Sequence, residues 1–278
     1  MVGKIKKFGF VPRTLDDPIV KDGLEAVGLL DGKEPYYLVG GIATQSYLPS
    51  RCRRPTSDID FAIAKPLQEY EEFRILVRPL LQYFGDKGYT FEMKKRSRAY
   101  CLDVTDSAGE SLSIEFARRN RKNFENNRSR LEREFDNSNH KIVEERTSSY
   151  RVARVEDIVV PKLVRSIGSL VRNPFFSKYV SGAAESLSNE RIGKILQKLG
   201  SMREEAMINP TDGELAETLR FISDIYDIRI LSEVSGLNQA YMDLAESQWS
   251  VFGSDRTANE RDLLINSVLP DFGNGRAQ

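Results

Sequence analysis

Asp58 and Asp60 stand one residue apart in DIDFAI, a run whose apolar positions Ile59, Phe61 and Ile63 alternate as in a half-buried β-strand. Side chains at i and i+2 of a strand share a face, so the two carboxylates project together from Cα atoms roughly 6.6 Å apart. Carboxylates that close oppose each other's ionisation. A divalent cation removes the conflict. Hard oxygen donors suit Mg²⁺ or Mn²⁺, and such ions pair one or two carboxylates with substrate phosphates. Two ions roughly 3.5 to 4 Å apart can activate an attacking hydroxyl and stabilise a departing pyrophosphate.

Upstream, the β-rich run YYLVGG stops at Gly40 and Gly41, and the helix-like IATQSYL follows. A strand that ends on paired glycines and turns into a helix offers backbone N–H groups with no side chain in the way, a setting that binds phosphate. A triphosphate on this turn would place its metal within reach of Asp58 and Asp60. The intervening loop PSRCRRPTS is punctuated by two prolines and carries Arg51, Arg53 and Arg54. These arginines suit charge neutralisation on the same phosphates or on a nucleic-acid acceptor. A bare DxD is common on solvated strand edges, and paired glycines say still less. The ordered set of strand, GG, helix, basic loop and strand with DxD is far more specific.

The elements that must position these groups follow from periodicity. Residues 16–30 and 67–84 read as helices. YTFEMKK reads as a strand, and RAYCLDVTD and SLSIEFARR form a hairpin across SAGE. ERTSSYRVA is a last extended piece. From Val155 onward VEDIVVPKLVRSIGSLV, SNERIGKILQKLGSM, DGELAETLRFISDIYDIRILSEVS and a final GLNQAYMDLAESQW are helical. The chain thus divides into an α+β part, residues 1–150, and a helical part, residues 151–278.

Composition removes several classes. A formal net charge of 0 argues against a broadly basic nucleic-acid coat and against an acidic disordered chain. Cys52 and Cys101 share no spacing motif, which points to reduced thiols and a cytoplasmic setting. The single histidine, His140, lies in the polar run DNSNHK and cannot build a His-rich metal site or find an obvious catalytic partner. No apolar run is long enough to span a membrane, and MVGKIKKFGFVPRTLDD lacks an apolar h-region. The tail DFGNGRAQ is expected to fray.

GG, a spaced helix and loop, then DIDF resembles the DNA polymerase β-like nucleotidyltransferases, whose relatives include CCA-adding enzymes, aminoglycoside nucleotidyltransferases and minimal nucleotidyltransferases. The resemblance implies a mixed sheet with flanking helices, followed here by an α-helical C-terminal domain. It also implies that Gly40-Gly41 holds an NTP's triphosphate, that Asp58 and Asp60 hold the metals, and that a third acid follows on a neighbouring strand. Asp103 and Glu115 are the candidates, in the first and second hairpin strands. The family's hydrophobic-acid-hydrophobic form after the turn favours Glu115. The interval from Gly41 to Asp58 is a few residues longer than in compact members, and PSRCRRP accounts for the excess.

VEDIVVPKLVRSI is similar to a stretch of the AbiEii/AbiGii-type nucleotidyltransferases, which include type IV toxin-like proteins, and RFISDIYDIRIL is similar to a second helix of theirs. The likeness covers roughly residues 35–235 and implies that Lys162 points at the nucleotide. Helical spacing agrees: Val159, Leu163, Ile167 and Leu170 form one stripe, with Lys162, Arg165, Ser166 and Ser169 on another face. In the later helix Leu215, Leu219, Ile222 and Tyr226 form the apolar stripe. Arg220, Asp224 and Asp227 lie opposite, where Asp224 or Asp227 would orient the lysine or the base. Pro161 should bend the first helix beside the lysine. For the acceptor, RRNRKNFENNRSRLER holds seven Lys/Arg, two Glu and Phe124, a pattern that suits a flexible nucleic-acid strand or a solvated basic segment. The resemblance implies an RNA end, such as a tRNA 3′ end, and a toxin-like protein with a cognate antitoxin. Transfer to a small molecule or protein side chain, and an inactive nucleotide-binding module, remain alternatives.

Overall fold

The computed structural model describes residues 12–183 and 185–269. The lysine-bearing start, residues 1–11, and the tail DFGNGRAQ lie outside the described residues. Two compact units divide the chain: residues 12–42 with 55–152, and residues 43–54 with 153–269. The arginine-bearing part of the loop, through Arg54, therefore groups with the helical residues, although in sequence it interrupts the sheet-forming half.

The first unit contains α1 (Pro18–Gly28), β1 (Tyr36–Val39), the start of α2 (Gly40–Gln45), β2 (Asp58–Ile63), α3 (Tyr70–Leu76) and α4 (Arg78–Asp86). There follow β3 (Thr90–Lys95), β4 (Ala99–Thr105), β5 (Ser111–Ala117), α5 (Arg121–Glu125), α6 (Arg128–Asp136), β6 (Asn139–Ile142) and β7 (Ser149–Val152). The strands form one seven-stranded mixed sheet in the order β3-β4-β5-β2-β1-β7-β6. The β2–β5 and β1–β7 pairs are parallel, and the other pairs are antiparallel.

Alternation gives the sheet two unlike faces. Ile59, Phe61, Leu112, Ile114, Phe116, Tyr100 and Leu102 are buried on one of them. Phe61 stacks on Phe116 with centroids 5.5 Å apart, and Phe73 of α3 stacks on Tyr100 at 5.0 Å. α1 presses on the same side: a Cβ on Gly23 would lie 2.8 Å from a Leu112 methyl and 2.9 Å from an Ile59 methyl. The opposite face takes the alternate positions Asp58 and Asp60 of β2, Ser113 and Glu115 of β5, and Cys101 and Asp103 of β4. That is why a core strand can carry two aspartates: burial on one side is complete without them.

Three local expectations change. The segment 67–84 is two helices, because Val77 closes α3 and Pro79 occupies the first turn of α4, where its missing N–H costs nothing. The basic run forms α5 and α6, and Phe124 is buried at 3% exposure with Arg128 over its ring. It is therefore not presented for base stacking. His140 lies on β6 and does have a partner, since its Nε2 is 3.0 Å from Oδ2 of Asp31, which also accepts from Arg151.

The second unit is helical. It comprises α7 (Val155–Arg172), α8 (Ser177–Val180), α9 (Asn189–Ile208), α10 (Gly213–Ser235), α11 (Gln239–Ser247) and α12 (Ala258–Val268), with short 3₁₀ turns between some of them. Side-chain caps start three of these: Ser188, Asp212 and Asn238 accept from Arg191, Leu215 and Tyr241 N–H groups. α7 runs through Pro161 as a single helix, and Val159, Leu163, Ile167 and Leu170 are all buried. In α10 the expected stripe is only partly correct. Leu215, Leu219 and Ile222 are half-buried, whereas Phe221 and every residue from Asp224 to Leu231 are buried. The stretch of α10 from Asp224 to Leu231 is thus enclosed on all sides, its polar side included. α12, anchored by Leu264, Ile265 and Val268, follows the helix expected to be last.

Candidate active site

The parallel register of β2 and β5 sets Asp60 opposite Glu115 and Asp58 opposite Ser113. One carboxylate oxygen from each of Asp58, Asp60 and Glu115 lies within 4.8 Å of the others, and all three residues are half-buried. Thr56 Oγ1 donates to Asp58 at 3.3 Å. The set fits a hard divalent cation: three oxygen donors converge, and nothing softer is among them. The electrostatics agree. Burial pushes the Glu115 carboxyl above its usual range; the Arg96 guanidinium opposes this, while the Asp58 charge adds to it.

The choice between Asp103 and Glu115 is visible in the strands. Asp103 shares the face but belongs to β4, where it accepts from Lys94 Nζ and Ser113 Oγ, each at 2.6 Å. Among the described residues, the three-carboxylate cluster contains Glu115 and not Asp103. Glu115 is met by Arg96, which donates to Oε1 from the turn between β3 and β4, and by the Cys101 thiol. Burial pushes that thiol up to about 12, with the Glu115 charge adding to it, so it stays protonated as a weak donor.

The paired glycines have a steric reason. Gly40 takes φ +76°, which favours glycine, and a Cβ there would overlap Oδ2 of Asp60. A Cβ on Gly41 would lie 2.6 Å from Oγ1 of Thr56. The turn after β1 is packed directly against the strand end that bears the aspartates, so GG and DxD form one feature.

The remaining candidates belong to the helical unit and form a second cluster. Arg54 forks onto Asp227 of α10, Nε to Oδ1 at 2.8 Å and Nη2 to Oδ2 at 2.6 Å. Lys162 of α7 donates to Asp227 at 2.8 Å and to Asp224 at 3.4 Å. Arg165 reaches Asp224 through Nε at 3.0 Å and Nη2 at 2.9 Å. Asp227 is fully buried. Burial pushes its carboxyl up, but Arg54 and Lys162 outweigh that and hold it below the usual range. Beside it the Tyr226 hydroxyl donates to the Cys52 carbonyl at 2.9 Å, and Arg53 Nε donates to the Leu48 carbonyl at 3.0 Å. Arg51 is exposed. The loop that carries three arginines is therefore tied to α10 by one of them and by its own backbone.

Thr56, Arg96 and Arg165 were not among the sequence candidates for these clusters. Thr56 follows the period-2 pattern two residues before Asp58, and Arg165 shares a helix face with Lys162. Arg96 becomes visible only once the β3–β4 register is known.

No family model matches the chain, and no curated protein matches it. Solved structures do. An antigenic nucleotidyltransferase-like protein from Paracoccidioides brasiliensis is 15% identical with a TM-score of 0.39, over 76% of this chain and 95% of that one. The nucleotidyltransferase toxin MenT4 from Mycobacterium tuberculosis is 14% identical with a TM-score of 0.34, over 88% and 92%. Terminal uridylyl transferase 4 from Trypanosoma brucei, with bound UTP and UMP, is 14% identical with a TM-score of 0.25, over 65% and 51%. Likenesses this distant carry no functional inference. Among the described residues, no helix is long and apolar enough to cross a membrane.

Proposed function

We propose that the chain is a metal-dependent nucleotidyltransferase of the polymerase β-like type, moving NMP from an NTP to an acceptor hydroxyl and releasing pyrophosphate. The observation that carries this is the convergence of Asp58, Asp60 and Glu115 on neighbouring parallel strands, with the Gly40-Gly41 turn packed against Asp60. Asp58, Asp60 and Glu115 would hold Mg²⁺ or Mn²⁺, which supplies Lewis-acid stabilisation of the charge on the transferring phosphate. Gly40 and Gly41 are assigned to the triphosphate. Glu115 is also assigned to help take the acceptor hydroxyl's proton on a carboxylate oxygen. In the helical unit Asp227, with Asp224, holds Lys162 and Arg54 in fixed positions, and Arg51 and Arg53 are further candidates for contacts with substrate phosphates.

For the acceptor we favour an RNA end, such as a tRNA 3′ end, in a cytoplasmic toxin-like protein with a cognate antitoxin. Exposed Arg121, Lys122 and Arg128 support a polyanionic acceptor. Burial of Phe124 removes the stacking aromatic and keeps a small molecule or protein side chain as the second reading. An inactive nucleotide-binding module would have little reason to keep three converging carboxylates.

The test is incubation with each α-labelled NTP, Mg²⁺ and total RNA, beside Asp58→Asn and Asp60→Asn. Label on RNA, lost in both variants, supports the reading. Label on protein or on a small molecule shifts the acceptor. Equal label with the variants, or none on any acceptor, sinks it.

A further inference from the structure

Among the three converging carboxylates, Glu115 is engaged by Arg96 of its own unit. Arg96 stands in the turn joining β3 to β4, its side chain 47% exposed against 16% for Glu115. Its backbone N–H is fixed to the Ala99 carbonyl at 2.8 Å, so the guanidinium is delivered by a closed hairpin end rather than by a free loop. A carboxylate oxygen turned to a guanidinium is not fully available to a metal ion. A cation that arrives alone must displace Arg96 and leave it without a counter-charge at the rim of the cluster. A metal ion that arrives with a triphosphate brings an anion that the displaced guanidinium can take in exchange.

We propose that Arg96 is a positioning residue that holds Glu115 in the metal-free protein and makes metal uptake conditional on the phosphates that accompany it. The inference rests on the nucleotidyltransferase reading for the identity of those phosphates. Arg96 thereby keeps the site from filling with bare cation and orders its assembly: metal and triphosphate enter together, Glu115 turns from the guanidinium to the metal, and Arg96 turns to a phosphate oxygen.

The test is Mn²⁺ binding to the full chain, followed by electron paramagnetic resonance at fixed ionic strength. Calorimetric titration with the preformed Mn²⁺ complexes of the four α,β-methylene NTPs accompanies it. Arg96→Gln is expected to bind Mn²⁺ alone about two- to fivefold more tightly, the range of a partly exposed ion pair, and to bind the metal–nucleotide complex more weakly. Arg96→Lys keeps the charge and should restore the wild-type order. The gain should vanish in the Arg96→Gln/Glu115→Gln double variant. If Arg96→Gln leaves the affinity for Mn²⁺ alone unchanged or lowers it, while Asp60→Asn abolishes binding, Arg96 has no such role and the metal site stands. If Asp60→Asn keeps full Mn²⁺ affinity, the metal site falls and this inference falls with it.

Discussion

Two clusters of charge in this protein follow opposite rules. On the sheet of the first unit, Asp58, Asp60 and Glu115 crowd together half-buried, and Arg96 pairs with Glu115. Between α7, α10 and the arginine loop of the second unit, Asp224 and Asp227 are met by Lys162, Arg165 and Arg54. Lys162, Asp224 and Asp227 are as buried as the hydrophobic core, and the charges of this cluster answer one another. Such a network can hold elements in register, and it is costly to break on one side. The first cluster brings three carboxylates together half-buried, an arrangement in which each charge opposes the ionisation of the others. Converging carboxylates mark the candidate place for chemistry; the buried ion-pair network marks the frame.

The largest expected effect breaks the first cluster in function alone. On the proposed function Asp60→Asn removes the charge of a metal ligand and should lower NMP transfer on the order of 10³-fold, as loss of several kcal/mol of metal-derived stabilisation implies. Metal-free stability should change far less than transfer does. A urea titration that instead shows strong destabilisation would place Asp60 in the frame.

Asp227→Ala should behave in the reverse sense. It leaves Lys162 and Arg54 facing a buried vacancy and should cost the helical unit about 3–5 kcal/mol. The chain's one tryptophan, Trp249, lies in that unit and reports its unfolding by fluorescence. A change below 1 kcal/mol would mean that the cluster is replaceable packing.

Gly40→Ala lies between these two. The positive φ costs about 1–3 kcal/mol for a side chain, and the added methyl meets the Asp60 carboxylate. Both stability and Mn²⁺ affinity should fall. Affinity falling without stability would show that the turn shapes the ligand rather than the fold.

How much of this was legible in sequence depends on how local each interaction is. The alternation in DIDFAI and the order GG–loop–DxD are local, and they located β2 and the turn. Glu115 could be favoured over Asp103 only by resemblance, because what separates them is a parallel β2–β5 register across about fifty residues of chain. Arg54 and Asp227 are 173 positions apart, and no spacing rule connects a loop arginine to a helix carboxylate at that range. The same pattern that offered Arg54 to phosphate could not show that its fork is filled by Asp227. α12 escaped because its buried side is thin, Leu264, Ile265 and Val268 in an otherwise polar stretch.

Titration should drive the two clusters apart. Asp227 is held below its ordinary value of 3.8, so its contribution is complete above that pH and is lost as pH falls through the lowered value. Glu115 is held above its ordinary value of 4.5, so its contribution to the metal-free fold is present below that pH and is lost as pH rises through the raised value. Metal binding runs against the latter, since protons compete for Glu115: Mn²⁺ affinity should decline on acidification before an ordinary glutamate would titrate. Hydrogen exchange resolved by peptide should show the helical unit loosening at acid pH while β5 does not. Parallel loosening would end the distinction.

The smallest effect tests where the balance of the second cluster resides. Arg165 makes two hydrogen bonds to Asp224, yet its side chain is 49% exposed, so water competes for the guanidinium and salt screens it. Arg165→Gln should therefore cost about 0.2–1 kcal/mol, within the range of exposed ion pairs. Asp224 keeps Lys162 as a partner at 3.4 Å. The lysine's nearer contact is Asp227 at 2.8 Å. If Arg165→Gln costs no more than this while Asp227→Ala costs several times as much, the frame is the Arg54–Asp227–Lys162 core and Arg165 is its solvated edge. If the two costs are similar, the network acts as a unit, and Arg54 and Lys162 cannot be assigned their positions by Asp227 alone.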